Sequence, residues 1–435
     1  MTAIEPAARP AGFPVQEHAM RRVLAGEVHA RPFELMAVPV RVSHLAVIHD
    51  GEAEAEREHL ARLLAQHGAE LPGEGANHFA RDLGALRFRF ERHNEFSTYT
   101  FLRFDPFEQP FGPTAIDLVA ADWLAGIPGK AIAAVHLAVE QCHRPPEALS
   151  ALFDGNQVVG SRVVGGSAEM WTDFHLHADG FGRFLVRDLS LSRSQIGRLV
   201  QRLLEVETYR LLSLLAFPVA RQATTEITRI DRDIATIITT LADPAIRQND
   251  RALLDRLTGL AAEAERLDAA TSFRLSAARA YYTIVNQRIA ELREERIAGA
   301  QTVAEFMCRR LAPAMKTCDA AAERMAVLAA RLSRTGDLLR TRVDIALEEK
   351  NGDLLNSMNR RAKLQLRLQE TVEGLSVVAI SYYLLGLVGY AAKGLKAAGL
   401  HLDPEIVSLI GLPVILGAVA LVVRRLRRAV GDHKE

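Results

Sequence analysis

LLNSMNRRAKLQLRLQETVEGLSVVAISYYLLGLVGYAA, residues 354 to 392, carries one heptad register out of a charged stalk and into an apolar segment. Steps of four and three from Leu354 land on Met358, Arg361, Gln365, Leu368, Val372, Leu375, Ala379, Tyr382, Gly386 and Gly389 without a break. Pro313 and Pro404 bracket the region, and no proline lies between them. Ala314 to Tyr390 would make a helix over ~100 Å long if continuous. A coiled-coil stalk that runs straight into a membrane helix predicts a membrane protein with its bulk on one side.

Two apolar segments near the C-terminus contain no charge, Leu375 to Ala392 and Ile406 to Val423. Each is near the lower limit for crossing ~30 Å of hydrocarbon. The linker between them is short and nearly neutral. Arg360, Arg361, Lys363 and Arg367 precede the first segment, and Arg424 to Arg428 follow the second. The positive-inside rule places both flanks, and so both termini, in the cytoplasm. A buried hydrophobic hairpin in a soluble fold is the alternative.

Acids and bases balance at 53 each, so no global field draws the chain to nucleic acid. The N-terminus lacks the apolar core of a secretory signal. Cys142, Cys308 and Cys318 fit no metal spacing and are too few for a disulfide framework.

Residues 1 to 20 read as a loose arm and 21 to 190 as a cytosolic α/β or α+β domain with a mostly antiparallel sheet. Strands are expected at Met36–Ile48, Ala131–Val139 and Val158–Val164. LRFRFER (86–92) and FSTYTFLRF (96–104) alternate cleanly around a His-Asn-Glu turn, an antiparallel hairpin. Glu169–His177 and Gly182–Arg187 read as a second hairpin. Helices fit Glu52–Gln66, Ile116–Ala125 and Pro146–Leu152. From Ser192 the pattern turns helical: a bundle over 191–312, a stalk over 313–373, a transmembrane hairpin over 374–425 and a basic tail over 426–435.

Asp173, His175 and His177 lie at i, i+2 and i+4 of an expected strand and would share one face, a carboxylate and two imidazoles able to hold a transition metal. A solvated strand face is the plainer reading. His29, Arg31 and Glu34 form a compact polar motif, a candidate anion contact or a turn in which Arg31 pairs with Glu34. Gln365, Gln369, Glu370 and Glu373 would form rings of amides and carboxylates in a symmetric oligomer, and Ser381, Gly386, Gly389 and Tyr390 would follow in the span. Arg360, Arg361 and Lys363 would oppose cation flow through such a pore. The P-loop, GxGxxG, GxSxG and HExxH patterns are absent from the sequence, so nothing argues for a known enzyme class.

Five stretches, EVHARPFE (27–34), ERHNEFSTYTF (91–101), GRLVQRLLEVETYR (197–210), LLRTRVDIALEEKN (338–351) and LQETVEGLSVVAISYYLLGLVGY (368–390), resemble a bacterial family of uncharacterised membrane-anchored proteins. That resemblance implies an inner-membrane anchor and no established activity. In the order of its parts the chain is also similar to the CorA-type divalent-cation channels. Those carry Gly-Met-Asn where this chain reads Gly386-Leu387-Val388-Gly389. Three functions follow as expectations: a homo-oligomeric cation channel, a membrane-tethered scaffold or regulator without transport, and, third, a metal-dependent enzyme. No resident cofactor is expected; a divalent cation is the ion the first of these would take. The expected partners are the lipid bilayer and further copies of the chain.

Overall fold

The structure is a computed structural model that describes residues 15–22, 24–25, 33–49, 51, 53–73, 76–242, 250–398 and 403–431, with side chains to 425. Its strands are β1 (Val40–Ile48), β2 (His78–Asp82), β3 (Arg87–Arg92), β4 (Phe96–Arg103), β5 (Lys130–Glu140), β6 (Val159–Val163), β7 (Ala168–Thr172), β8 (Gly182–Asp188) and β9 (Glu295–Arg296). They join in the order β2-β3-β4-β1-β5-β8-β7-β6-β9. The pairings are antiparallel except β5 with β8. The mostly antiparallel α+β domain is therefore present, and the 86–104 hairpin forms as β3 and β4, with Phe88 opposite Phe101 and Phe90 opposite Tyr99.

The helices are α1 (Ala53–Gln66), α2 (Ala121–Ala125), α3 (Pro146–Leu152), α4 (Arg193–Leu214), α5 (Ala216–Ala242), α6 (Asp250–Leu292), α7 (Val303–Arg310), α8 (Ala312–Ala397) and α9 (Pro404–Gly431). The backbone N–H of Ser192 donates to Gln195 Oε1 at 2.9 Å, starting α4. Thr302 and Glu305 exchange bonds of 3.2 Å at the start of α7, a reciprocal cap. Pro218 and Pro313 each follow a break between two helices. Each sits in the first turn of its helix, where a missing N–H costs nothing because that donor has no partner in any case.

Contacts divide the chain into two units: Met1–Arg247 with Asp255–Thr335, and Gln248–Leu254 with Gly336–Glu435. In the first unit the sheet buries side chains on both faces. One face packs Val42, Leu137, Met170 and Val186 against Leu199, Leu203, Val285 and Met315 of α4, α6 and α8. The other face packs Phe88, Tyr99 and Phe101 against Leu60, Leu63 and Leu64 of α1 and Trp123 of α2. Burying such side chains contributes roughly 1.5–3 kcal/mol each.

In the second unit α8 and α9 are each long and apolar enough to cross a membrane; few of their apolar residues are buried, 11% and 6% of the two apolar windows. Where they meet, small residues allow the approach. Gly389 faces Ser408, and Gly411 faces Leu385 and Val388.

Candidate functional site

Strand period two sets up the site. On β3 and β4, Phe88, Phe90, Tyr99 and Phe101 point into the α1 core. The alternate positions Arg89, Glu91, Thr98 and Thr100 then face the other way, toward α4. A sheet face under a helix is ordinarily apolar, yet here Thr98 and Thr100 are only 6% and 7% exposed. His44 of β1 lies beside them, and Thr208 of α4 lies above. These groups line a cavity of about 260 Å³, together with Met36, Phe96, Leu204 and Tyr209.

His44 is the centre of the floor. Its Nδ1 lies 2.8 Å from Thr100 Oγ1 and its Nε2 lies 3.2 Å from Thr208 Oγ1. Burial, then the charges of Arg89 and His93, push its pKa down to about 3. The ring is thus neutral and ties sheet to helix through two hydroxyls. Around the cavity each carboxylate has a guanidinium: Glu34 with Arg87 at 2.9 Å, Glu91 with Arg89, and Glu205 with Arg288. Gln201 Nε2 also donates to Glu205 at 2.8 Å. The His93 ring stacks on Phe96 with centroids 4.3 Å apart.

A glycine fixes how the 33–36 segment enters. A Cβ on Gly197 would lie 1.7 Å from the carbonyl oxygen of Glu34, so no other residue permits this approach. Arg198 lies over the Phe33 ring at 4.9 Å, and Met36 N–H donates to the Arg193 carbonyl at 3.1 Å. Three of the stretches that carry the family resemblance therefore converge here. Glu34 ends the first, Glu91, His93, Phe96, Thr98 and Thr100 belong to the second, and Gln201, Glu205 and Thr208 belong to the third. Sequence reading took those residues as hairpin and helix. Thr98, Thr100 and Thr208 look in the sequence like solvent-facing positions, and only the fold shows them buried.

Of the sequence-selected residues, Glu34 lines this cavity, but pairs with Arg87. His29 and Arg31 lie outside the described residues. Asp173, His175 and His177 do not share a strand face. β7 ends at Thr172, and Phe174 has φ of 55°, which breaks the alternation. Asp173 and His177 turn inward while His175 is exposed. His177 Nδ1 lies 2.7 Å from Asp154 Oδ2 and its Nε2 3.1 Å from Asp173 Oδ2, though the latter is off the line of a hydrogen bond. Asn156 donates to Asp173 at 2.9 Å. Among the described residues no group of three His, Cys, Asp or Glu side chains is arranged to hold a metal ion.

Gln365, Gln369 and Glu370 are exposed and Glu373 half-buried, with Gln369 Nε2 3.3 Å from Glu373 Oε1. Ser381 is buried, Gly389 half-buried, and Gly386 and Tyr390 exposed.

Another arrangement was not visible in the sequence. Ser43 Oγ lies 3.0 Å from His136 Nδ1, and His136 Nε2 lies 3.8 Å from Asp179. The order is that of a nucleophile, base and acid. Ser43, however, is 0% exposed, and its oxygen accepts the Ile116 N–H at 3.1 Å. Closed to solvent and occupied by a backbone donor, Ser43 joins the strands and the 115–118 turn as a structural lock. Burial pushes His136 down to about 4 against the opposing pull of Asp179 and Asp117.

The fold and the two apolar helices define an α+β protein that carries candidate membrane helices at its C-terminal end. The chain belongs to the family described as protein of unknown function (DUF3422), whose pattern it matches over residues 16–430. No curated protein matches it. The likeness to CorA-type channels therefore gains no support, in keeping with the missing Gly-Met-Asn.

Proposed function

We propose that the chain is an integral protein of the bacterial inner membrane, with two spans and both termini cytoplasmic, whose α+β unit is a ligand-binding regulatory domain. The observation that carries this reading is the buried polar floor of His44, Thr98, Thr100 and Thr208 beneath α4. A helix–sheet interface gains nothing in stability from hydroxyls around an open space; ligand cavities combine such placed polar groups with apolar walls. The paired carboxylates and neutral imidazole suit a small ligand with both donors and acceptors and little net charge. The two apolar helices and their basic flanks supply the membrane anchor, and the heptad positions of the stalk supply a surface for self-association.

Native mass spectrometry of the full chain, purified in mild detergent, tests the reading. A small-molecule adduct is expected, and Thr208→Trp, which fills the cavity, is expected to lose it. No adduct from cell extract, together with Mg²⁺ flux in proteoliposomes that Glu373→Ala abolishes, would replace this reading with transport.

A further inference from the structure

A second site lies on the sheet away from the His44 cavity. The register sets four charged residues in one row across four neighbouring strands. Arg162 on β6 is opposite Glu169 on β7, Glu169 is opposite Arg187 on β8, and Arg187 is opposite Glu140 on β5. Arg144, just beyond β5, grips Glu140 with two bonds, Nε to Oε1 at 2.6 Å and Nη2 to Oε2 at 2.8 Å. Glu169 divides its oxygens between Arg162 Nε at 3.1 Å and Arg187 Nη2 at 2.6 Å. Both carboxylates are nearly buried, so three guanidiniums stand against two fixed negative charges.

A cross-strand charge ladder alone would account for this row. Two further features point to a ligand. First, the row forms one end of a cavity of about 530 Å³, closed on another side by the turn at Ile297–Ala300. Second, the charge stops at the next pair on the same face: Trp171, two residues after Glu169, lies opposite Leu185, two residues before Arg187, and both line the same cavity. Gly160 lies against the indole: a Cβ there would stand 2.6 Å from Trp171 Cδ1. Only a residue without a side chain leaves room for the indole there.

We propose that this cavity binds a small organic anion with a flat apolar body, a carboxylate or phosphate head at the three guanidiniums and the body on Trp171 and Leu185. Arg162 carries the recognition most directly. Its side chain is 54% exposed, and among the described residues it engages Glu169 through Nε alone. Its two terminal nitrogens present the planar fork that suits an oxyanion. Arg144 and Arg187, held by Glu140 and Glu169, supply fixed positive field behind it.

Tryptophan fluorescence of the full-length protein in detergent tests the site, with phenyl phosphate, benzoate and inorganic phosphate as probes. Trp171 reports on the cavity, while Trp123 is buried in the α1 core and serves as a constant background. Phenyl phosphate is expected to change the emission saturably. Arg162→Gln should weaken its binding about tenfold, the loss of one charge-assisted contact. Trp171→Phe should remove the signal, and calorimetry on that variant should still register binding, weakened. No saturable change with phenyl phosphate or benzoate would overturn the proposal, as would equal affinity in Arg162→Gln. Inorganic phosphate binding as tightly as phenyl phosphate would overturn the role of the apolar floor. Because Arg162 is half-exposed, its replacement leaves the fold in place, and the urea midpoint checks this directly.

Discussion

Acid should loosen the α+β unit before its carboxylates titrate, because two histidines are folded in the neutral state. His44 and His136 are 5% and 4% exposed, with pKa values pushed down to about 3 and about 4. The ordinary value is about 6.5. A base whose folded pKa is depressed is protonated more readily in the unfolded chain. Its contribution is intact above about pH 6.5 and is lost as pH falls toward the folded values. At pH 5 both rings are still neutral when folded and largely protonated when unfolded. The cost is then set by the unfolded value, roughly 1.5 units at 1.36 kcal/mol each, or about 2 kcal/mol per histidine and about 4 kcal/mol together. That is a large part of a typical 5–15 kcal/mol. Urea unfolding followed by tryptophan emission reads this unit, since Trp123 and Trp171 both lie in it. The double variant His44→Gln, His136→Asn keeps hydrogen-bonding atoms and removes the titration. It should be less stable at pH 7 but lose about 4 kcal/mol less between pH 7 and pH 5. Equal losses in the two proteins would refute the argument.

Three other outcomes follow from the packing. Gly197→Ala places a methyl 1.7 Å from the Glu34 carbonyl and should cost ~1–3 kcal/mol by urea midpoint, because the 33–36 segment must move off α4. Tyr99 donates to buried Glu56 at 2.9 Å, so Tyr99→Phe should cost about 1.5–3 kcal/mol; in wild type, burial and then Glu56 hold this phenol above the ordinary tyrosine range, as burial and then Glu95 do for Tyr281, and an ultraviolet pH titration should show one fewer late-titrating tyrosine in the variant. Leu409→Arg, on an exposed part of α9, should disfavour insertion of that helix by about 2.5–3.5 kcal/mol, read as loss of the protein from washed membranes in a chain truncated before α8's apolar segment and fused to α9.

Much of the fold was legible because the chain uses both periodicities openly. RFRFER and FSTYTFLR alternate as strands do, although β4 proves buried on both faces, and the long run after Pro313 carries helical period. The short β2 is not legible in the sequence, since HFARD offers too few alternations; it is the edge strand beside β3. The strand expected over Glu169–His177 was too long because nothing in the sequence marks Phe174 as left-handed. The His44 cavity was beyond pattern reading for a different reason. Its groups come from β1, β3, β4, α4 and α6, and a polar residue on a buried face looks, in one dimension, like one on a wet face. Only the register, His44 opposite Thr100, shows that the hydroxyl and imidazole must meet.

Among the described strands, the one parallel pairing has a consequence for how this sheet is made and unmade. β2-β3-β4-β1-β5 on one side and β8-β7-β6-β9 on the other are each knit by antiparallel neighbours, and only β5 against β8 joins them. The chain must travel out through β6 and β7 before β8 can return to β5, so this closure carries a larger loop entropy than the β3–β4 and β6–β7 hairpins. The join therefore forms after those hairpins, and amides of β5 and β8 that bond across it should exchange with solvent ahead of those that pair β3 with β4.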